Sequence, residues 1–321
     1  MNIVYTCQDN YAQIVGVSIY SLLKNNKNEQ IHIYFLDSGL SDDSKKELRK
    51  LCFSNGNAEI DFFSVSALLE QYSEKLTAFQ NNFATYAKLF MELLLPKNID
   101  ECLYIDADTL VLENLKSVFE NKNDFTLYMG YDVVFPKHKE LIGLDSVSPY
   151  FNAGVIFVNL RRWRKKEYTE KILNHLCEGH SYVYGDQDIF NVLFKDDIGK
   201  IGFENNVITQ FCYYKSAKIC RFVYGVLKKS FYTKEEFKIN KASIVHFTTY
   251  PFMIRPWFSK STHLYAEVYK KFVKESPYCN MFEYKEMNEP VRRRLIQFFS
   301  KGKRNFIVPF IIGSLLRKFK A

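Results

Sequence analysis

Tyr104-Ile105-Asp106-Ala107-Asp108-Thr109-Leu110-Val111 places two carboxylates one residue apart at the end of an apolar run. Positions i and i+2 of a strand face the same side, so Asp106 and Asp108 are expected to aim at one point. Like charges at that spacing repel unless a cation sits between them, and carboxylate oxygens suit a divalent ion. An ion held there would bridge a diphosphate and neutralise it as it departs. Without an ion, the same letters read as loop aspartates or helix caps.

Other segments carry both a chemical and a structural reading. His246 ends the apolar run Ile244-Val245-His246-Phe247. It is a half-buried structural histidine, or it is a third ligand beside Asp106 and Asp108. Two oxygens and one imidazole suit Mn²⁺ better than Mg²⁺. Phe151-Asn152-Ala153-Gly154-Val155 sets an amide and a glycine before another apolar run. That pattern is a tight turn, or a place where a ligand approaches the backbone closely. In Asp186-Gln187-Asp188 one aspartate can cap the helical run that follows; alternatively Asp186 and Gln187 exchange hydrogen bonds with sugar hydroxyls. Lys88 is a solvated lysine, or a partner for phosphate or a sugar hydroxyl.

The elements that must position these groups follow from periodicity. Strands are expected at Asn2–Thr6, Ile31–Leu36, Glu59–Val65 and Leu103–Ile105. Helical spacing covers 11–24, 42–52 behind a Ser41 cap, and Tyr86–Leu95 ahead of Pro96. Strand and helix therefore alternate through the first 110 residues, which predicts an α/β fold with a parallel sheet. Such sheets bind ligands at the carboxyl ends of their strands, where both 6–11 and the aspartate pair fall. Further on, Leu127–Asp132, Gly154–Asn159 and Ser243–Phe247 read as strands, and Glu167–Cys177 and Gln187–Phe194 as helices.

Composition is that of a globular protein, 47% hydrophobic and 25% charged over 321 residues, which argues against global disorder. The net charge of +8 is local: residues 291–321 hold nine basic residues and no acid, and the remainder has 35 basic against 36 acidic residues. Bases interleaved there with Phe306, Phe310, Ile311 and Leu315 read as an interfacial anchor for an anionic membrane surface. Nucleic-acid binding is the weaker reading, since the aromatics lack a stacking platform. The expected division is a catalytic domain over 1–279 and a basic, helical, amphipathic tail over 280–321. The seven scattered cysteines form no CxxC, as expected of a reduced, cytosolic chain without a disulfide frame. Met1 leads almost directly into a strand, leaving no room for a signal peptide.

In order, the motifs Asn2–Tyr11, Leu36-Asp37-Ser38-Gly39, Thr85-Tyr86-Ala87-Lys88-Leu89, Leu103–Leu110, Tyr150–Trp163, Asp186-Gln187-Asp188 and His246-Phe247 with Arg255-Pro256-Trp257 resemble the family 8 glycosyltransferases, near the bacterial lipopolysaccharide galactosyltransferase and glucosyltransferase type. The resemblance implies a GT-A fold, with a Rossmann-like, mostly parallel sheet flanked by helices. It implies Mn²⁺ (Mg²⁺ as the alternative) held by Asp106, Asp108 and His246, and a UDP-hexose donor. Thr6, Gln8 and Asn10 would hold the uridine. Lys88, Ala107, Asp132, Asn152, Ala153, Gly154, Asp186 and Gln187 would line the donor, and Arg255 would take the diphosphate. Gln8 stands where many relatives have Asp, Lys88 where many have Arg, and the 247–254 loop lacks the usual glycine.

The expected activity is transfer of galactose or glucose, with retention, to a glycan or glycolipid at the cytoplasmic face of a membrane. A covalent intermediate would need a carboxylate on the β face of the sugar; the resemblance puts Gln187, a poor nucleophile, at that catalytic position, so a front-face route is expected, with Asp132, Asp186 or Asp188 as the alternative nucleophile. One alternative is a haloacid-dehalogenase-like phosphatase, whose apolar-strand Asp-x-Asp string is similar to Asp106–Leu110 and uses its first Asp as nucleophile. Another is a non-catalytic nucleotide-binding scaffold.

Overall fold

In the first strand, β1 (Asn2–Cys7), successive side chains alternate between the two faces of the sheet. Ile3 and Tyr5 point one way, with Ile33, Phe35, Leu103 and Ile105 of neighbouring strands and Val15, Ile19 and Leu22 of a covering helix. Val4, Tyr34, Leu36, Tyr104, Ile156 and Val158 point the other way, against Trp163, Phe190 and Phe194. A sheet buried on both faces suits parallel strands. Each fully buried aliphatic side chain contributes roughly 1.5–3 kcal/mol.

The computed structural model describes residues 1–66, 68, 83–120, 122–180, 182–214, 217–225, 242–251 and 253–286. The other described strands are β2 (Ile31–Asp37), β3 (Ala58–Ser64), β4 (Glu101–Ile105), β5 (Thr109–Val111), β6 (Leu127–Tyr131), β7 (Phe151–Asn159), β8 (Ile198–Lys200), β9 (Val207–Ile208) and β10 (Ile244–His246). The described helices of eight residues or more are α1 (Ala12–Asn25), α2 (Asp42–Asn55), α3 (Tyr168–Cys177), α4 (Asp186–Leu193) and α5 (Ala266–Glu275). The main sheet runs β3-β2-β1-β4-β7-β6-β8, and a small sheet runs β5-β10-β9. Only β7 opposes its neighbours in the main sheet, pairing antiparallel with β4 and β6. The expected α/β architecture with a mostly parallel sheet is therefore present.

Three local expectations change. Asp106 and Asp108 lie past β4, in the bend where the chain leaves the main sheet for β5. Strand alternation therefore does not align them; the backbone does. Asp106 N donates to Gly154 O at 2.8 Å, and Asp108 O accepts from Phe247 N at 2.8 Å, so the bend is pinned to β7 and to the residue after β10. Asn152, Ala153 and Gly154 are not a turn before a strand: β7 starts at Phe151 and contains them. The single helix expected over Tyr86–Leu95 is three short pieces, Phe83–Tyr86, a 3₁₀ turn Ala87–Phe90, and Met91–Leu94. The tighter turn sends Ala87, Lys88, Leu89 and Phe90 all inward.

Ser41 caps α2 as expected, its Oγ accepting from Ser44 N at 3.3 Å. All seven cysteines are free. No helix among the described residues is long and apolar enough to cross a membrane. Residues 281–285 bond to the body: Gln13 Nε2 donates to Met281 O, and Lys285 N donates to Trp257 O, both at 2.8 Å. The basic stretch from 287 onward lies outside the described residues.

Candidate active site

A cavity of about 490 Å³ opens at the carboxyl ends of β1 and β4. Its wall brings together Thr6, Gln8, Asn10, Lys88, Asp106, Ala107, Asp108, Asn152, Ala153, Gly154, Asp186, Gln187, His246 and Arg255. These come from segments spread over some 250 residues of chain. The exceptions among the expected residues are Asp132 and Asp188, which do not line it.

His246 sets the geometry. Its Nε2 lies 3.5 Å from Asp106 Oδ2 and 3.3 Å from Asp108 Oδ1. Its Nδ1–H donates to Asn152 Oδ1 at 3.0 Å and to Asn206 Oδ1 at 3.2 Å. The amide orientations are fixed from outside. Asn152 Nδ2 donates to Asp132 Oδ2 and Gln187 Oε1, each at 3.0 Å, so its oxygen must face the imidazole. Asn206 Nδ2 in turn donates to Asn152 Oδ1 at 2.9 Å. With the proton on Nδ1, the Nε2 lone pair points at the two carboxylates, which is how metal-ligating histidines are held. Gly154 makes the arrangement possible: a Cβ there would fall 1.9 Å from His246 Cε1. The glycine therefore makes room for the imidazole, where the sequence suggested close approach of a ligand. The donor atoms of Asp106, Asp108 and His246 all lie within 4.8 Å of one another, so the residues present fit a divalent cation.

Each aspartate offers one oxygen to that point and commits the other. Asp106 Oδ1 accepts from Lys88 Nζ at 2.9 Å and from Tyr104 OH at 2.5 Å. Asp108 Oδ2 lies 3.5 Å from Arg255 Nη2. Burial works to raise the Asp108 pKa, but the neighbouring His246 and Arg255 outweigh it and hold the carboxyl below its usual range.

Lys88 is not solvated; it lines the cavity from a buried position. It is 4% exposed, and its three N–H groups go to Asp106, to Asp186 Oδ2 at 3.0 Å and to Ala153 O at 3.1 Å. Burial opposes its charge, but the two aspartates win and raise its pKa. Asp186 is pushed up to about 6, by burial first; Lys88 opposes the shift and Asp106 adds to it.

Gln187 is equally committed. Its Oε1 accepts from Asn152 Nδ2 and from Ala153 N, and its Nε2 donates to Asp132 Oδ2 at 3.0 Å. Asp132 also accepts from Val133 N, and burial pushes its pKa up. Asp188 is wholly buried, bonded to His138 Nε2 at 2.7 Å, to Tyr150 OH and to Tyr184 N at 2.9 Å. At the other end of the cavity Thr6 Oγ1 donates to Leu36 O at 2.7 Å. Arg255 Nη1 donates to Tyr11 OH at 2.9 Å, and its guanidinium lies over the Trp257 ring.

Sequence reasoning missed Tyr11, Tyr104, Tyr184, Thr248 and Thr249, which line the cavity, and Asn206, which orients His246. It also missed Asp9, whose Oδ1 accepts from Ser41 N at 3.0 Å and ties the 8–10 loop to the start of α2. Tyr11 and Tyr104 sit inside motifs that were recognised. Asn206 carried no local signal, because its partners are 54 and 40 residues away in sequence.

The profile of glycosyl transferase family 8 matches residues 2–261. A putative glycosyltransferase of Haemophilus influenzae is 32% identical over 213 residues, covering 64% of this chain and 62% of that protein. A lipopolysaccharide 1,2-glucosyltransferase of Escherichia coli K12 is 28% identical over 200 residues, covering 61% of this chain and 58% of that protein. The matched region thus spans about three fifths of these two relatives. The galactosyltransferase LgtC, solved with donor and acceptor sugar analogs, superposes with a TM-score of 0.67 at 23% identity, over 86% of this chain and 96% of that one. That likeness shows the GT-A fold. The chain belongs to glycosyl transferase family 8.

Proposed function

We propose that this glycosyltransferase moves a hexose from a UDP-sugar to a glycan or glycolipid, with retention, and that Asp106, Asp108 and His246 hold a manganese ion for the reaction. The observation that carries this reading is the amide clamp of Asn152 and Asn206, which turns the His246 Nε2 lone pair onto two carboxylates. An ion bound there supplies neutralising charge to a departing diphosphate. Arg255, held by Tyr11 and stacked on Trp257, adds a fixed positive charge at the same wall. Thr6, Gln8 and Asn10 line the cavity at the β1 end and take the nucleoside. Asn152, Ala153, Asp186 and Gln187 line the opposite end and take the sugar. Lys88 serves as a buried brace that holds Asp106 and Asp186 in place.

The carboxylates speak for a front-face route. A covalent intermediate needs a free carboxylate beside the anomeric carbon. Asp188 is wholly buried under two hydrogen-bonding side chains, Asp132 stands behind Asn152 and Gln187, and Asp186 is ion-paired to Lys88. Gln187 has both ends of its amide bonded and is a poor nucleophile. The acceptor hydroxyl then attacks from the side the diphosphate leaves, and a phosphate oxygen takes its proton. A trapped glycosyl-aspartate overturns this route.

Similarity to a lipopolysaccharide 1,2-glucosyltransferase supports an acceptor among lipopolysaccharides or other surface polysaccharides, and the basic tail would hold the enzyme to the inner face of the membrane. Family membership sets aside the phosphatase. A non-catalytic scaffold predicts UDP binding without sugar release. The test is a screen of UDP-galactose and UDP-glucose for Mn²⁺-dependent hydrolysis without acceptor. Release of UDP and free hexose from one of them supports the proposal, and no release from any UDP-hexose with Mn²⁺ overturns it.

A further inference from the structure

Beyond α5 the chain runs along one face of α1 toward the nucleoside end of the cavity. Tyr278 is buried against Gly16, where a Cβ would fall 2.3 Å from the ring. One turn earlier on the same face, Gln13 spends both ends of its amide on this backbone: Nε2 donates to Met281 O at 2.8 Å, and Oε1 accepts from Glu283 N at 3.0 Å. Lys285 then reaches the turn that precedes α1. Its Nζ donates to Asn10 O at 3.3 Å and lies 4.8 Å from the centre of the Tyr11 ring. The main chain of Lys285 is tied to a second segment: its N donates to Trp257 O at 2.8 Å, and its O accepts from Ser259 N at 3.1 Å.

We infer that Lys285 is a positioning residue for the donor, one that fixes the spacing between the nucleoside loop and Arg255. The inference rests on the donor reading above. Asn10 and Arg255 both line the cavity, and Lys285 does not. It acts on the two from outside the wall. On one side it holds the Asn10 carbonyl. On the other its ammonium lies over Tyr11, where a cation is attracted to the ring face, and the Tyr11 hydroxyl accepts from Arg255 Nη1 at 2.9 Å. Among the described residues no carboxylate is paired with this ammonium, so it is not spent on a surface ion pair. Burial first, and then Arg255, lower its pKa; a diphosphate beside Arg255 relieves the repulsion between the two cations. Lys285 lies past residue 261, where the match to the family profile ends.

The full chain is compared with Lys285→Met, which keeps the apolar stem and loses the ammonium. UDP binding with Mn²⁺, read by calorimetry, weakens by about 5- to 30-fold, the loss of one hydrogen bond and one cation–ring contact. The KM for UDP-hexose hydrolysis rises in step while kcat stays close to wild type, because the lost contact serves the ground state and the transition state alike. Mn²⁺ affinity without UDP is unchanged. Lys285→Arg restores UDP affinity, and Glu283→Gln, on the same segment, leaves it at the wild-type value. A thermal melt checks that each variant is folded. Wild-type UDP affinity and KM in Lys285→Met, or a loss that Lys285→Arg does not restore, overturns the role of Lys285 and leaves the donor reading standing. A wild-type chain that fails to bind UDP with Mn²⁺ overturns both.

Discussion

Replacing Gly154 with alanine tests how the proposed metal cluster is built. The new Cβ would sit 1.9 Å from His246 Cε1, 2.4 Å from Nδ1 and 2.8 Å from Nε2. Ordinary carbon–carbon contact starts near 3.5 Å, so ring and backbone must part by about 1.6 Å. Gly154 lies where the β6 register breaks, but its O accepts from Asp106 N on the β4 side, so a backbone shift would carry Asp106 away with it. Movement of the imidazole or of the backbone therefore parts His246 from Asp106. Metal–ligand distances tolerate only about 0.2 Å, so one ligand is lost. Loss of an outer partner alone costs about 10–100-fold in metal affinity; loss of the ligand is expected to cost about 100-fold or more. Overpacking of this kind costs about 1–3 kcal/mol, so the variant still folds, which a thermal melt checks. The assay is Mn²⁺ titration, followed both by the free-ion electron paramagnetic resonance signal and by UDP-hexose hydrolysis. A folded Gly154→Ala protein that binds Mn²⁺ as tightly as wild type refutes the assignment of His246.

Three further outcomes follow. Lys88→Met leaves Asp106 and Asp186 facing each other without their shared cation; breaking a buried pair this way costs about 3–5 kcal/mol, read as a lower urea midpoint, and an unchanged midpoint contradicts the brace. Asp197 accepts from Thr126, Lys166 and Tyr168, and although burial works against them these partners hold its pKa below the usual range. Its contribution is therefore present above the unfolded pKa of about 3.9 and lost as pH falls through the lower folded value; Asp197→Asn should cost about 2 kcal/mol at neutral pH, with the gap to wild type closing below about pH 3.9, and a gap independent of pH contradicts this. Deleting residues 287–321 keeps the 281–285 segment that bonds to Gln13 and Trp257, and should abolish binding to anionic vesicles while sparing donor hydrolysis; vesicle binding that survives contradicts the anchor.

The alternation of strands and helices to residue 105 was legible because each element carries its own periodicity. β1, β2, β3 and β4 fall within a few residues of the expected spans, as do α1 and α2. The Asp106–Asp108–His246 cluster could be named from the sequence, but its construction could not. Asp106 and Asp108 looked aligned by strand pleating, yet a bend between two sheets aligns them. Asn152 and Gly154 looked like a turn, yet they sit inside β7, where one bonds the His246 ring and the other makes room for it. Lys88 looked solvated or phosphate-binding, and only the 3₁₀ turn that buries it shows a brace. In each case the deciding partner is far away in sequence, so local pattern could not supply it. Asp188, beside Asp186 and Gln187, is drawn off the cavity by His138 and Tyr150.

The central claim is that Asp106, Asp108 and His246 hold an ion that receives a nucleoside diphosphate. It is tested most directly by calorimetry of UDP binding with and without Mn²⁺, in wild type and in Asp108→Asn. UDP should bind wild type far more tightly with Mn²⁺ than without it, and the variant should show weak binding that Mn²⁺ does not improve. Equal UDP affinity with and without Mn²⁺ in wild type, or full Mn²⁺ enhancement in Asp108→Asn, would contradict the account.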